Sequence, residues 1–276
     1  MITTPFRAAC LQVNAGTDMD ANIAEAVRLT RQARAEGAHM VFMPENVTMM
    51  EWGRANIVGK ARTEADHPGL AAFRALAEEL SIWLHCGTLA ILLPNGMVAN
   101  RTYVVSPDGA IAARYDKIHM FDVDLGNGES YRESATFDPG QRAVAVELPW
   151  GKLGLSVCYD IRFPYLYRAL AKAGASYLTI PAAFTRVTGQ AHWHVLQRAR
   201  AIETGCYVLS PAQTGTHANN RQTYGHAVII DPWGEVLADA GEEPGFIIAD
   251  IDPAKVAEVR GKVPSLSHDR PFGMEG

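Results

Sequence analysis

Two reversals limit what this chain can fold into. Pro107-Asp108-Gly109 joins the apolar runs 99–106 and 110–115, and Asp231-Pro232-Trp233-Gly234 turns run 225–230 back into 235–238. Both read as hairpins, because Pro presets one backbone angle and Gly accepts the positive φ of a tight turn. Around them, strands alternate with helices. Runs 6–13, 39–43, 82–93, 177–180, 207–211 and 246–251 have strand length and apolar content, and 143–147 pairs with 152–158 around Pro149-Trp150-Gly151. Helical spacing marks 20–36, 69–80, 164–172, 192–203 and 253–260. In the first of these, Asp20 is the expected cap, Ile23, Ala26, Val27, Thr30 and Ala33 share one face, and Gly37 is the stop. Hairpins inside a strand–helix alternation exclude a purely parallel barrel and predict an α/β layer protein with mixed sheets. With 276 residues, no fixed-period repeat and no Ser/Gly/Pro linker, a single domain over 1–276 is expected.

One stretch, KLGLSVCYDIRFP at 152–164, carries the sharpest chemical hint. A buried strand runs to Cys158, and a helix opens after Pro164. A thiol on such a turn meets the positive end of the next helix, which favours the thiolate. A buried core cysteine is the competing reading. Glu45 and Lys117 stand in similar places, after HMVFM and after IAARYD. Ligands of open α/β sheets gather outside strand ends, so an acid, an amine and a thiol delivered there can converge. A water-shielded carboxylate, its pKa raised, would serve as base for the thiol. A fixed ammonium and the backbone N–H of Tyr159 would hold an oxyanion. Taken singly, Glu45 also reads as a strand-end cap, and Lys117 as a solvated loop residue.

Charge and cysteine usage narrow the partners. The formal net charge is −5 and no basic run carries interleaved aromatics, so nucleic acid is not expected. No apolar run spans a bilayer, and the N-terminal MITTPFRAACLQV lacks a signal-peptide pattern. Cys10, Cys86, Cys158 and Cys206 are scattered, which fits free thiols in a reducing cytoplasm and offers no zinc cluster. His192 and His194, two apart on a helix, point to different sides, so a shared metal is not expected of them. His226 reads as a satisfied buried histidine in a strand, and Trp193 and Trp233 as core or interface.

PEN at 44–46, YDKIHMFDVD at 115–124 and CYDIRFP at 158–164 resemble the three signature segments of the nitrilase superfamily of carbon–nitrogen hydrolases. The resemblance extends from AACLQVNAG to the DPWGEV turn. It implies an α-β-β-α sandwich, a Glu–Lys–Cys triad at Glu45, Lys117 and Cys158, no metal or organic cofactor, and pairing into a homodimer or higher oligomer. A second, auxiliary glutamate matches Glu133 in YRES; Glu129 in NGES is the weaker match. The segment from AFTRVTGQ to QTGTH resembles the branch of deaminated glutathione amidases and omega-amidases, closer to the first. That implies a cysteine amidase releasing ammonia from a small carboxylate-bearing linear amide through a thioester. Omega-amidase chemistry on 2-oxoglutaramate-type monoamides is the alternative; a nitrilase, an N-carbamoyl amidohydrolase and a non-catalytic scaffold are more distant.

A short flexible amide offers little apolar area, so an arginine is expected to grip its carboxylate. Arg186 and Arg221, in expected loops, rank above Arg162, whose expected partner is Asp160. For assembly, 164–173 presents Tyr165, Leu166, Tyr167 and Leu170, and the tail VPSLSHDRPFG within 261–276 is expected to order against a partner copy.

Overall fold

The computed structural model describes residues 4–126 and 129–275. Asn127 and Gly128, in the NGES segment that carries Glu129, lie outside the described residues. In chain order the strands are β1 (Phe6–Val13), β2 (Met40–Phe42), β3 (Trp83–Leu92), β4 (Val98–Val105), β5 (Ile111–Asp116), β6 (Asp122–Asp124), β7 (Ser130–Arg132) and β8 (Ala145–Leu148). Then come β9 (Gly151–Leu155), β10 (Ala175–Thr179), β11 (Tyr207–Ser210), β12 (Ala212–Thr216), β13 (Gln222–Tyr224), β14 (Val228–Ile230), β15 (Val236–Asp239) and β16 (Gly245–Ile251). The helices are α1 (Met19–Ala35), α2 (Arg54–Lys60), α3 (Pro68–Leu80), α4 (Pro164–Lys172), α5 (Arg186–Thr204) and α6 (Ala254–Lys262).

Two mixed sheets face each other. The first runs β13-β12-β1-β2-β3-β4-β5, with β16 also paired to β1; the second runs β15-β14-β11-β10-β9-β8. In each the centre is parallel and the flanks are antiparallel. The expected hairpins are β4–β5 and β14–β15. Strand periodicity sorts the core. Ala8 and Cys10 join Phe42, Leu153 and Tyr177 between the sheets, while Ala9, Leu11 and Val13 face Leu29 of α1 and Phe73 of α3. β1 is therefore buried on both sides, as its nearly continuous apolar run requires. α4 and α5 pack on the second sheet, completing the α-β-β-α order.

Several local expectations shift. Asp18, not Asp20, caps α1, its side chain accepting from the N–H groups of Asp20 and Ala21. α2 was not visible in the sequence, and none of its residues is fully buried, so it has no apolar stripe to read. α5 begins at Arg186, which places that arginine in a helix and not in a loop. Gly189 obscured this start: it breaks the helical pattern, yet a Cβ there would lie 2.3 Å from the Tyr224 side chain. The run 152–158 leaves the sheet at Leu155, and 225–227 precede β14 instead of belonging to it. His226 is thus in a connecting segment with φ +55°, only partly buried.

The surface also departs from expectation. Leu166, Tyr167 and Leu170 are buried in their own chain and only Tyr165 is exposed. The tail is tethered intramolecularly: Arg168 donates to Ser265 O, and Asp269 pairs with Arg168 and Lys172. Beyond that, Phe272 and Met274 are exposed. Trp193 is core and Trp233 is exposed. Among the described residues no helix is long and apolar enough to cross a membrane.

Candidate active site

Three strand ends bring the three signature residues together. β2 hands over through Met43 and Pro44 to Glu45, which is 3% exposed. That turn lies tight against β3. A Cβ on Gly87 would stand 1.9 Å from Met43 O and 2.4 Å from Pro44 O, so only glycine fits. β5 ends at Asp116, and the next residue, Lys117, is 2% exposed, its N–H donating to Asn100 O. From the opposite sheet β9 leads to Cys158, 7% exposed, with φ +47°. A non-glycine residue at positive φ is costly and recurs where a side chain must be aimed. Cys158 N–H donates to Pro181 O, which fixes the turn.

Lys117 Nζ lies 3.1 Å from Glu45 Oε1 and 2.9 and 2.8 Å from the two oxygens of Glu133. Glu45 Oε2 accepts from Ala183 N–H at 2.9 Å, and Glu133 from Phe121 N–H at 2.7 Å. Glu129 stands apart, accepting from Tyr131 Oη, so Glu133 is the glutamate that joins the group. Tyr159 follows Cys158 in a 3₁₀ turn over Cys158–Arg162 and lines the same cavity.

Electrostatics correct two expectations. Burial pushes the Glu45 carboxyl up, but Lys117, the Cys158 thiol and the Ala183 N–H outweigh it, and its pKa falls below the ordinary value. Burial, with Glu45 second, pushes the Cys158 thiol well above its ordinary value. The resting pair is thus thiol and carboxylate, not thiolate and acid. The positive helix end does not reach the thiol, because α4 begins only at Pro164, beyond the 3₁₀ turn. Burial opposes the charge on Lys117, yet Glu133 and Glu45 overcome it and hold the ammonium charged.

The group opens into a cavity of about 360 Å³ with Phe121, Phe184 and Tyr159 on its walls. A second, more polar cavity of about 390 Å³ shares Trp52, Ser130, Tyr131 and Arg221 with it. Arg221 therefore stands between the two. Its guanidinium lies 5.3 Å over the Tyr131 ring and donates to Ala183 O at 2.8 Å, and its buried Nε has no partner among the described residues. Arg186 lines only the outer cavity and pairs with Glu242 at 3.2 Å. Arg162 lines neither. It does not pair with Asp160; it meets His192 Nδ1 at 3.2 Å and lies over the Phe184 ring at 5.4 Å.

The chain matches a known family. The Carbon-nitrogen hydrolase family model matches residues 7–261. This chain is a carbon-nitrogen hydrolase. The deaminated glutathione amidase of Synechocystis sp. strain PCC 6803 is 42% identical over 268 residues, covering 96% of this chain and 98% of its own length. The human protein of that name is 38% identical, covering 97% and 83%. Among solved structures, the Caenorhabditis elegans NitFhit protein superposes with a TM-score of 0.92 at 36% identity, over 98% of this chain and 66% of that one. Saccharomyces cerevisiae Nit3, of the nitrilase superfamily, gives 0.87 at 29%, with 97% of each chain covered. The chain is a hydrolase of carbon–nitrogen bonds other than peptide bonds, an amidase.

Two further residues of this hydrolase escaped the sequence reading. Asn100, in β4 and 2% exposed, gives its Nδ2 hydrogens to Glu45 at 2.9 Å and to Glu133 at 3.3 Å. Two facing carboxylates fix the orientation of the amide and leave its Oδ1 buried without a partner among the described residues. Asp160, fully buried, accepts from Val157 N–H (2.8 Å), Tyr115 Oη (2.6 Å) and His119 N–H (3.1 Å), and lies 2.6 Å from His119 Nδ1. It ties the Cys158 turn to the segment that carries Lys117. Asp160 sits inside a quoted segment and Asn100 well before the nearest one, and neither residue type at its spacing carries a warning.

Proposed function

We propose that the chain hydrolyses deaminated glutathione by a Glu45–Lys117–Cys158 mechanism. The observation that carries the substrate is the paired cavity: an inner chamber at the thiol and an outer polar one, with Arg221 between them. A short monoamide fills only the first. An extended amide with a peptide-like end occupies both, which agrees with the names borne by the relatives.

In this reading Cys158 Sγ attacks the amide carbon while Glu45 takes the thiol proton. The carbonyl oxygen becomes an oxyanion held by Lys117 and the Tyr159 N–H. Glu45 then delivers the proton to the departing nitrogen, which leaves as an amine, or as ammonia from a primary amide. Glu45 next takes a proton from water, hydroxide attacks the thioester, and the thiol is restored. Because the thiol resists ionising alone, proton and carbon transfers are coupled, and a low-pKa carboxylate suffices as base. Glu133 neutralises and orients Lys117, and Arg221 reads a substrate carboxylate with its unpaired Nε.

The chain works as one domain. It forms a homodimer through α5, where Val187, Val195 and Ile202 are exposed on one side. The four free thiols favour a reducing compartment such as the cytoplasm. The test compares kcat/KM on deaminated glutathione with that on 2-oxoglutaramate. A preference for the monoamide would transfer the assignment to omega-amidase chemistry. Light scattering of Val195→Asp tests the dimer; an unchanged mass removes α5 from the interface.

A further inference from the structure

Away from the thiol, two histidines and an aspartate separated in sequence come together. His194 lies on α5, His226 between β13 and β14, and Asp239 at the end of β15. His194 Nε2 is 2.8 Å from Asp239 Oδ2, and His226 Nδ1 is 2.9 Å from Asp239 Oδ1. One ligand atom from each residue lies within 4.8 Å of the others. We propose that these three residues bind a borderline divalent transition metal, with Zn²⁺ as the reference ion.

The chemistry of the donors supports this. Two imidazoles and one carboxylate suit Zn²⁺, Co²⁺ or Ni²⁺, and poorly suit Mg²⁺ or Ca²⁺, which want oxygen. Without metal, each neutral imidazole spends its single N–H on Asp239. A metal takes the inner lone pairs once each ring moves its proton to the outer nitrogen, so no net proton need leave. The outer nitrogens, His194 Nδ1 and His226 Nε2, have no protein partner among the described residues and tolerate either tautomer. Side-chain exposures of 33%, 22% and 31% leave room for an ion to enter and for water to complete its shell.

The site also has a supporting frame. Tyr224 stacks on His226 with ring centroids 4.5 Å apart, and Asp239 Oδ1 accepts from Gly241 N–H. The carbonyl of His226 accepts from Trp193 Nε1, and the Trp193 ring packs on Phe184 of the inner cavity. A bound ion would clamp α5, the 225–227 segment and β15 behind that wall. It would act as a structural staple, without touching the substrate.

The experiment titrates the metal-free wild-type chain with Co²⁺, reading d–d absorption, and then displaces it with Zn²⁺ followed by calorimetry. The expected result is one ion per chain, no thiolate charge-transfer band, and a thermal midpoint that rises with Zn²⁺. His194→Ala and His226→Gln, shown folded by circular dichroism, should each weaken binding by at least about tenfold. Cys158→Ala should bind as wild type. Absence of an ion on the wild-type chain, a signal that disappears with Cys158, or affinity indifferent to both histidine variants would overturn the site.

Discussion

The floor and the rim of the cavity are built on opposite terms. On the floor, Glu45, Lys117 and Asn100 are almost fully buried and Glu133 nearly so, and each charge there has a partner. At the rim, Arg221 is half-buried with an unpaired Nε, and Arg186 shares its charge with Glu242 across an exposed contact. A buried ion group is stable only as a complete set, because removing one member leaves charge stranded in a low dielectric. A rim group can be lost with little harm to folding, since water replaces its partner. In the proposed mechanism the floor thus ties catalysis to stability, whereas the rim separates recognition from both.

The largest effect expected is on the floor without charge. Cys158→Ala should lower turnover by roughly 10⁴-fold or more, as loss of a nucleophile does elsewhere, while the thermal midpoint hardly moves. Turnover of the folded variant near the wild-type rate would remove Cys158 from the mechanism. Lys117→Met follows, and here both halves of the comparison should move. Turnover should fall by about two to three powers of ten, and unfolding stability by about 3–5 kcal/mol, because Glu45 and Glu133 are left facing each other. A denaturant series beside the assay decides it; loss of activity without loss of stability would break the link between them.

Asn100→Leu sharpens the contrast. It takes a donor from two buried carboxylates, offset only in part by loss of the orphaned Oδ1, so stability should fall by about 1–3 kcal/mol while kcat falls roughly 10-fold. It should also shift the pH profile. The wild-type Glu45 pKa is depressed, so the stability it contributes is present above the unfolded value of about 4.3 and is lost as pH falls through the lower folded value. The acid limb of kcat/KM in the wild type should accordingly lie below about pH 4.3, and Asn100→Leu should move it upward. An unmoved limb would mean that Asn100 does not act on Glu45.

The smallest effects belong at the rim. Arg221→Ala should raise KM for carboxylate-bearing amides by roughly 10-fold, the worth of a charged hydrogen bond, and leave neutral amides nearly unchanged. Arg186→Ala should shift KM by only about threefold or less, since its existing pair is exposed. Equal losses on charged and neutral substrates would make Arg221 a structural residue.

How much of this was legible in the chain differs by element. Strand runs such as FRAACLQV and hairpin turns such as Pro107-Asp108-Gly109 announce themselves, because local backbone chemistry and apolar periodicity set them. The signature segments named Glu45, Lys117 and Cys158, and the fold brings them to one cavity. α2 was silent because it buries no face, and the start of α5 was hidden by a glycine whose reason is Tyr224, far along the chain.

The sequence by itself determined the layer architecture, the family and which three residues are proposed to react, because each rests on residue type and near-neighbour spacing. Only the tertiary structure decided the protonation of the thiol–carboxylate pair, the partner of Arg162, and the meeting of His194 with His226 and Asp239. The physical reason is common to all three. Burial, desolvation and contact are properties of what surrounds a side chain, and those surroundings come from parts of the chain that no local pattern connects.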